Sequence, residues 1–124
     1  MVKIPSSNAV PHVSVIDGQL TTTSRDIAAT FGKQGIRCNG ILPGVIQTPA
    51  QMAWANPAMD AAFLDLHNVP RLGLPEDIAS LALFLASDES AYINGTLMRA
   101  DGGMSCTVPY VQVVRNLLIA NKGE

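Results

Sequence analysis

Ile36-Arg37-Cys38-Asn39-Gly40-Ile41-Leu42-Pro43-Gly44-Val45-Ile46-Gln47-Thr48-Pro49 reads as a strand, a tight turn and a helix entry in one stretch. Residues 36–42 form a short run rich in Ile and Leu, the pattern of a parallel strand buried on both faces. Pro43-Gly44 stops that run, and Thr48-Pro49 opens a helix, because proline suits a first helical turn. Such a junction presents backbone amides and one hydroxyl at the mouth of a sheet, which suits an amide-bearing or anionic ligand.

Upstream, Pro5, Ser6, Ser7, Asn8, Pro11 and Gly18 break any periodicity, so residues 1–18 read as an irregular start. Residues 19–31 place Leu20, Ile27, Ala28 and Phe31 on one helical face. Thr21-Thr22-Thr23 weakens that helix, so packing must hold it. Gly32 and Gly35 bracket its end. Downstream, two short helices are split by Asn56-Pro57. They carry Met52, Trp54, Met59 and Phe63, which fit either a lid over a ligand mouth or plain core packing.

Arg71 to Ile78 marks another helix start. Pro75 fits its first turn, and Glu76 and Asp77 complement the helix dipole there. Ile78, Leu81, Ala82 and Leu85 form its buried stripe, and Leu83 and Phe84 widen it until both faces need cover. Ser87-Asp88-Glu89-Ser90 ends the helix in a solvated turn. Asn94-Gly95 is a turn signal before a second short strand at 96–100, which Asp101-Gly102-Gly103 stops. A last helix is expected over 107–121, with Val111, Val114, Leu117 and Leu118 on one face.

The 124 residues suffice for one domain, and 48% of them are hydrophobic against 15% charged. That balance excludes a disordered chain and favours self-association to cover apolar surface. The net charge of −2, with Lys3, Lys33, Arg37, Arg71 and Arg99 scattered, offers no basic field for nucleic acid or an acidic membrane. No run approaches transmembrane length, and Met1-Val2-Lys3-Ile4-Pro5 leads into no apolar signal region, so a cytoplasmic location is expected. Cys38 and Cys106 are the two cysteines; Cys38 reads as a buried thiol, and no disulfide framework or metal spacing exists. His12, Asp17 and Ser14 lack the spacing of a hydrolytic site. Asp65 and His67 stand two residues apart, so a helix would turn them to different faces.

Several pieces occur in order: Gly35-Ile36-Arg37-Cys38-Asn39, Pro43-Gly44 with Thr48-Pro49, Arg71 to Ala79, Phe84 to Asp88, Tyr92-Ile93-Asn94-Gly95, and Asp101-Gly102-Gly103. Together they resemble the C-terminal half of a classical short-chain dehydrogenase/reductase over roughly residues 19–105. The resemblance implies an α/β fold: an incomplete Rossmann-like domain of two short parallel strands, 36–42 and 96–100, with about four helices, completed by dimerisation. It implies a single truncated domain over 1–124, with residues 106–124 as an extra tail. It also implies that Pro43 and Gly44 face a nicotinamide ring, while the Ile46 backbone and the Thr48 hydroxyl meet its carboxamide. The other reading of these four residues is that they only keep the turn in shape.

Members of that family move a hydride between NAD or NADP and an alcohol or ketone. They grip the dinucleotide with a Gly-rich turn and use a Tyr-x-x-x-Lys pair on a helix. Neither pattern occurs in these 124 residues. Counting back from Ser24-Arg25 puts the tyrosine position at Val13 and the lysine position at Asp17, so no catalytic residue is assigned. The expectation is a protein without redox activity or cofactor of its own, acting in binding or assembly. The alternatives are an oxidoreductase subunit whose NAD or NADP site another chain completes, and an enzyme of unrelated chemistry in the residual cleft. The family's two-fold contact predicts a homodimer through residues 76–100, in which the 107–121 tail can be exchanged between subunits.

Overall fold

The computed structural model describes residues 12–15 and 21–120. They divide into two units, one from Met1–Gly44 with Leu74–Ala100, the other from Val45–Gly73 with Asp101–Glu124.

The first unit is a parallel sheet with helices. Strand β1 (His12–Val15), helix α1 (Thr21–Phe31), strand β2 (Cys38–Pro43), helix α4 (Pro75–Ala86) and strand β3 (Leu97–Ala100) compose it. The sheet order is β1-β2-β3, with Cys38 opposite His12 and Ile41 opposite both Val15 and Met98. The two parallel strands expected from sequence are both present, within a residue or two of their expected bounds. The irregular start is corrected at His12–Val15, where a four-residue strand joins β2. Pro11 and Gly18 hid it: breakers so close together leave room for little more than one short strand. The helical tyrosine position carried to Val13 is corrected with it, because Val13 is extended and paired with Asn39. Asp17, Leu20, residues 1–11 and residues 121–124 lie outside the described residues.

Helix α1 ends in a 3-10 turn, and Gly35 closes it at φ 84°, donating its N–H to Gly32 O. A left-handed residue there favours glycine. Helices α1 and α4 both pack against β2. Cys38, Ile41 and Leu85 are fully buried. On α1 Ser24 is buried, whereas Phe31, expected on the packed face, is 40% exposed. A small side chain lets helix and strand approach closely, and a phenyl ring cannot enter that gap. Leu83, expected under cover, is 48% exposed in the single chain.

Polar groups lock this unit. The Arg37 guanidinium donates to Leu85 O at 2.8 Å, Ser87 O at 3.1 Å and Ile93 O at 3.1 Å. Two of those carbonyls belong to the end of α4, where helical acceptors are left free. Buried Asn39 donates to Ile93 O at 3.0 Å and accepts from Thr96 N at 3.2 Å. Asn94 accepts from Cys38 N at 2.9 Å. At the other end of α4, the Asp77 carboxylate accepts from Leu74 N at 2.7 Å, half of a capping box.

The second unit holds helices α2 (Pro49–Trp54), α3 (Pro57–Leu66) and α5 (Pro109–Ala120). Asn56 caps α3 by accepting from Met59 N, so Asn-Pro both ends one helix and starts the next. Among the described residues here, Leu72, Gln51 and His67 are buried. Met52 and Trp54 are 65% and 57% exposed, so they do not form a core within the chain.

Candidate functional site: the turn after the second strand

Pro43 closes β2 in the first unit, and Gly44 donates its N–H to Ala100 O at 3.0 Å there. Ile46 and Thr48 open the second unit. Around them the backbone is held by residue 73. Gly73 N donates to Val45 O at 3.0 Å, and Gln47 N donates to Gly73 O at 2.8 Å, making a one-rung parallel bridge. A Cβ on Gly73 would stand 2.4 Å from Ile46 Cδ1 and 3.2 Å from Val45 O, so any larger residue would make the Ile46 side chain turn away and the Val45 carbonyl give slightly.

Thr48 N donates to Ile46 O at 2.9 Å, a turn of one residue. The Thr48 backbone is extended, and its Oγ1 accepts from Gln51 N at 3.1 Å. Thr48 is therefore the N-cap of α2, with Pro49 at the first helical position. Capping uses the hydroxyl as acceptor and leaves its hydrogen available to donate. The Ile46 N–H likewise has no acceptor among the described residues. Two donors thus flank one short turn, and residues 44–49 carry no charge. Such a site can recognise a neutral acceptor such as a carbonyl.

Gln51 extends the network. It is 8% exposed, and its side-chain amide donates to Asp60 Oδ1 on α3 at 3.3 Å. Sequence reasoning missed Gln51 and Gly73. A lone glycine between Leu72 and Leu74 was the available signal for a close backbone approach. His67 stands out in sequence only beside Asp65, and its burial, at 5% exposure, has no signal there. Its Nδ1 contacts Phe63 O, and a carbonyl only accepts, so Nδ1 carries the hydrogen. A Cβ on Gly102 would stand 2.6 Å from His67 Cδ2. His67 therefore fills a packed niche beside that turn. No cluster of metal-ligating side chains exists among the described residues.

Comparison with known proteins agrees with this topology. The family model described as enoyl-(acyl carrier protein) reductase matches residues 4–105. The chain belongs to the short-chain dehydrogenase/reductase family. Within it, a 7alpha-hydroxysteroid dehydrogenase of Bacteroides fragilis is 40% identical over 88 residues, covering 71% of this chain and 34% of that protein. A short-chain type dehydrogenase/reductase of Bradyrhizobium diazoefficiens is 40% identical over 106 residues, covering 86% of this chain and 38% of that one. A solved 4-hydroxyisoleucine dehydrogenase mutant, complexed with NADH and succinate, superposes with a TM-score of 0.67 at 35% identity. That match covers 71% of this chain and 37% of the solved one. The chain thus spans little more than a third of the length of these short-chain dehydrogenases. Among the described residues, no helix is long and apolar enough to cross a membrane.

Proposed function

We propose that this stretch keeps the nicotinamide-facing turn of a short-chain dehydrogenase/reductase and performs no hydride transfer by itself, acting instead in binding or assembly. The observation that carries the reading is the pairing of two donors without an acceptor among the described residues, Ile46 N–H and Thr48 O–H, with the lack of any Tyr-x-x-x-Lys in the 124 residues. A carboxamide offers the acceptor those donors need, and the uncharged turn suits it better than a phosphate. Pro43 and Gly44 would then face the ring. The residues present fit the amide end of a nicotinamide dinucleotide, whose bound form supplies or accepts the hydride. Its pyrophosphate finds no such match, because no G-x-G-x-x-G turn occurs in the 124 residues. Titrating the protein with NADH and following nicotinamide fluorescence is expected to show no micromolar binding. Saturable micromolar binding would refute the reading.

A second reading is favoured by the sheet. Among the described residues, strands β1 and β3 are its two edges, each paired on one side only. A polypeptide carrying the Gly-rich turn and the catalytic pair could add strands there and complete an NAD- or NADP-dependent oxidoreductase. Co-purification with such a partner, and activity only in the mixture, supports it. For self-association the best surface is residues 76–100, where exposed Leu83 and the β3 edge lie in one unit. We assign a homodimer to that surface and a cytoplasmic location to the protein. Sedimentation giving a monomer mass at micromolar concentration refutes the dimer.

A further inference from the structure

We propose that α5 is a polar strap that holds α3 by its C-terminal carbonyls, so that releasing α5 frees α3. Helix α3 ends at Leu66, and none of its residues is buried. Its last carbonyls lack helical partners, and an exposed helix so poor in packing needs another anchor. The segment 107–115 supplies it. Gln112 Nε2 donates to Asp65 O at 3.0 Å and also to the Asp65 carboxylate. The Arg115 guanidinium donates to Asp65 O, and at 3.4 Å to both His67 O and Asn68 Oδ1. It also pairs with the Asp65 carboxylate at 3.7 Å. Thr107 Oγ1 reaches Leu66 O at 3.5 Å. The carbonyls of residues 65, 66 and 67 are thus all met by side chains from one downstream segment.

Gln112 and Arg115 lie three apart on α5, so one face presents both. Gln112 Oε1 accepts from Arg115 at 3.0 Å, which fixes the fork before it reaches α3. A cation at a helix C-terminus is favoured by the dipole as well. The apolar side chains of α5 do not share in this contact as a core. Val113, Leu117 and Leu118 are 58%, 60% and 60% exposed. The first turn of α3, at its other end, is tied to the Thr48 turn, because Asp60 accepts from the Gln51 side chain, whose backbone N–H caps onto Thr48. Only the view that a freed α3 would open a ligand mouth rests on the reading above; the strap itself does not.

Hydrogen exchange of the full chain tests it without any ligand. In the double variant Gln112→Ala, Arg115→Ala, amides of residues 61–68 are expected to exchange roughly fivefold to tenfold faster, the loss of a few partly exposed hydrogen bonds. Amides of 38–43 should keep their rates. Unchanged exchange at 61–68, or equal acceleration in both regions, overturns the strap. Should the double variant fail to fold, Arg115→Lys is measured instead, since it keeps the charge but not the fork. Faster exchange confined to 61–68 is then expected at smaller size, and its absence is equally decisive.

Discussion

The two units use one device, an arginine forked onto the end of a helix, in two settings. Arg37 is half-buried and grips Leu85 O, Ser87 O and Ile93 O over a core of Cys38, Ile41 and Leu85. Arg115 grips the end of α3 from the surface, with its side chain 29% and Asp65 56% exposed. In the first unit polar bonds seal an apolar core, and in the second they substitute for one. Shielding of the acceptors from water decides what such a fork contributes: removing Arg37 strands carbonyls on buried Leu85 and Ser87, while water can replace Arg115 at exposed Asp65.

Breaking the core of the first unit should have the largest effect. Leu85→Ala empties a fully buried site and is expected to cost about 3–4 kcal/mol, read as a lower urea midpoint. Arg37→Ala should cost about 2 kcal/mol, and Arg37→Lys should recover little of it, because an ammonium cannot span three carbonyls. The matching change at the surface, Arg115→Ala, should cost only about 0.5 kcal/mol in the same titration. Equal losses at Arg37 and Arg115 would erase the contrast between the units. At the candidate site, Thr48→Val removes a cap and should cost about 1 kcal/mol, whereas Thr48→Ser should stay within a few tenths. Smallest of all, Tyr92→Ala should shift stability by less than about 0.5 kcal/mol, because Tyr92 is fully exposed.

Local chemistry made much of this fold legible. Pro49, Pro57 and Pro75 each stand at the first helical turn, where the sequence puts them. The apolar run at 36–42 became Cys38–Pro43, and 96–100 became Leu97–Ala100. What the sequence hid depends on distance. Arg37 reads as a scattered surface charge until the carbonyls of residues 85, 87 and 93 meet it. Asn39 and Asn94 read as a strand residue and a turn residue, although both bond across more than fifty positions. His12–Val15 is too short to announce itself between Pro11 and Gly18, and only pairing with β2 makes it a strand. At the site, Thr48 and Ile46 were named from the motif, but the glycine that shapes them lies at residue 73. A periodicity argument has no access to a partner so far along the chain.

Under the function proposed above, this polypeptide holds the carboxamide side of a redox pocket without its proton donor. The direct measurement is NADPH-dependent reduction of a panel of ketones by the purified chain, followed at the coenzyme absorbance. No rate above the protein-free control is expected, for the protein as it stands and for Thr48→Val alike. Sustained turnover that scales with protein concentration and falls in Thr48→Val would contradict it.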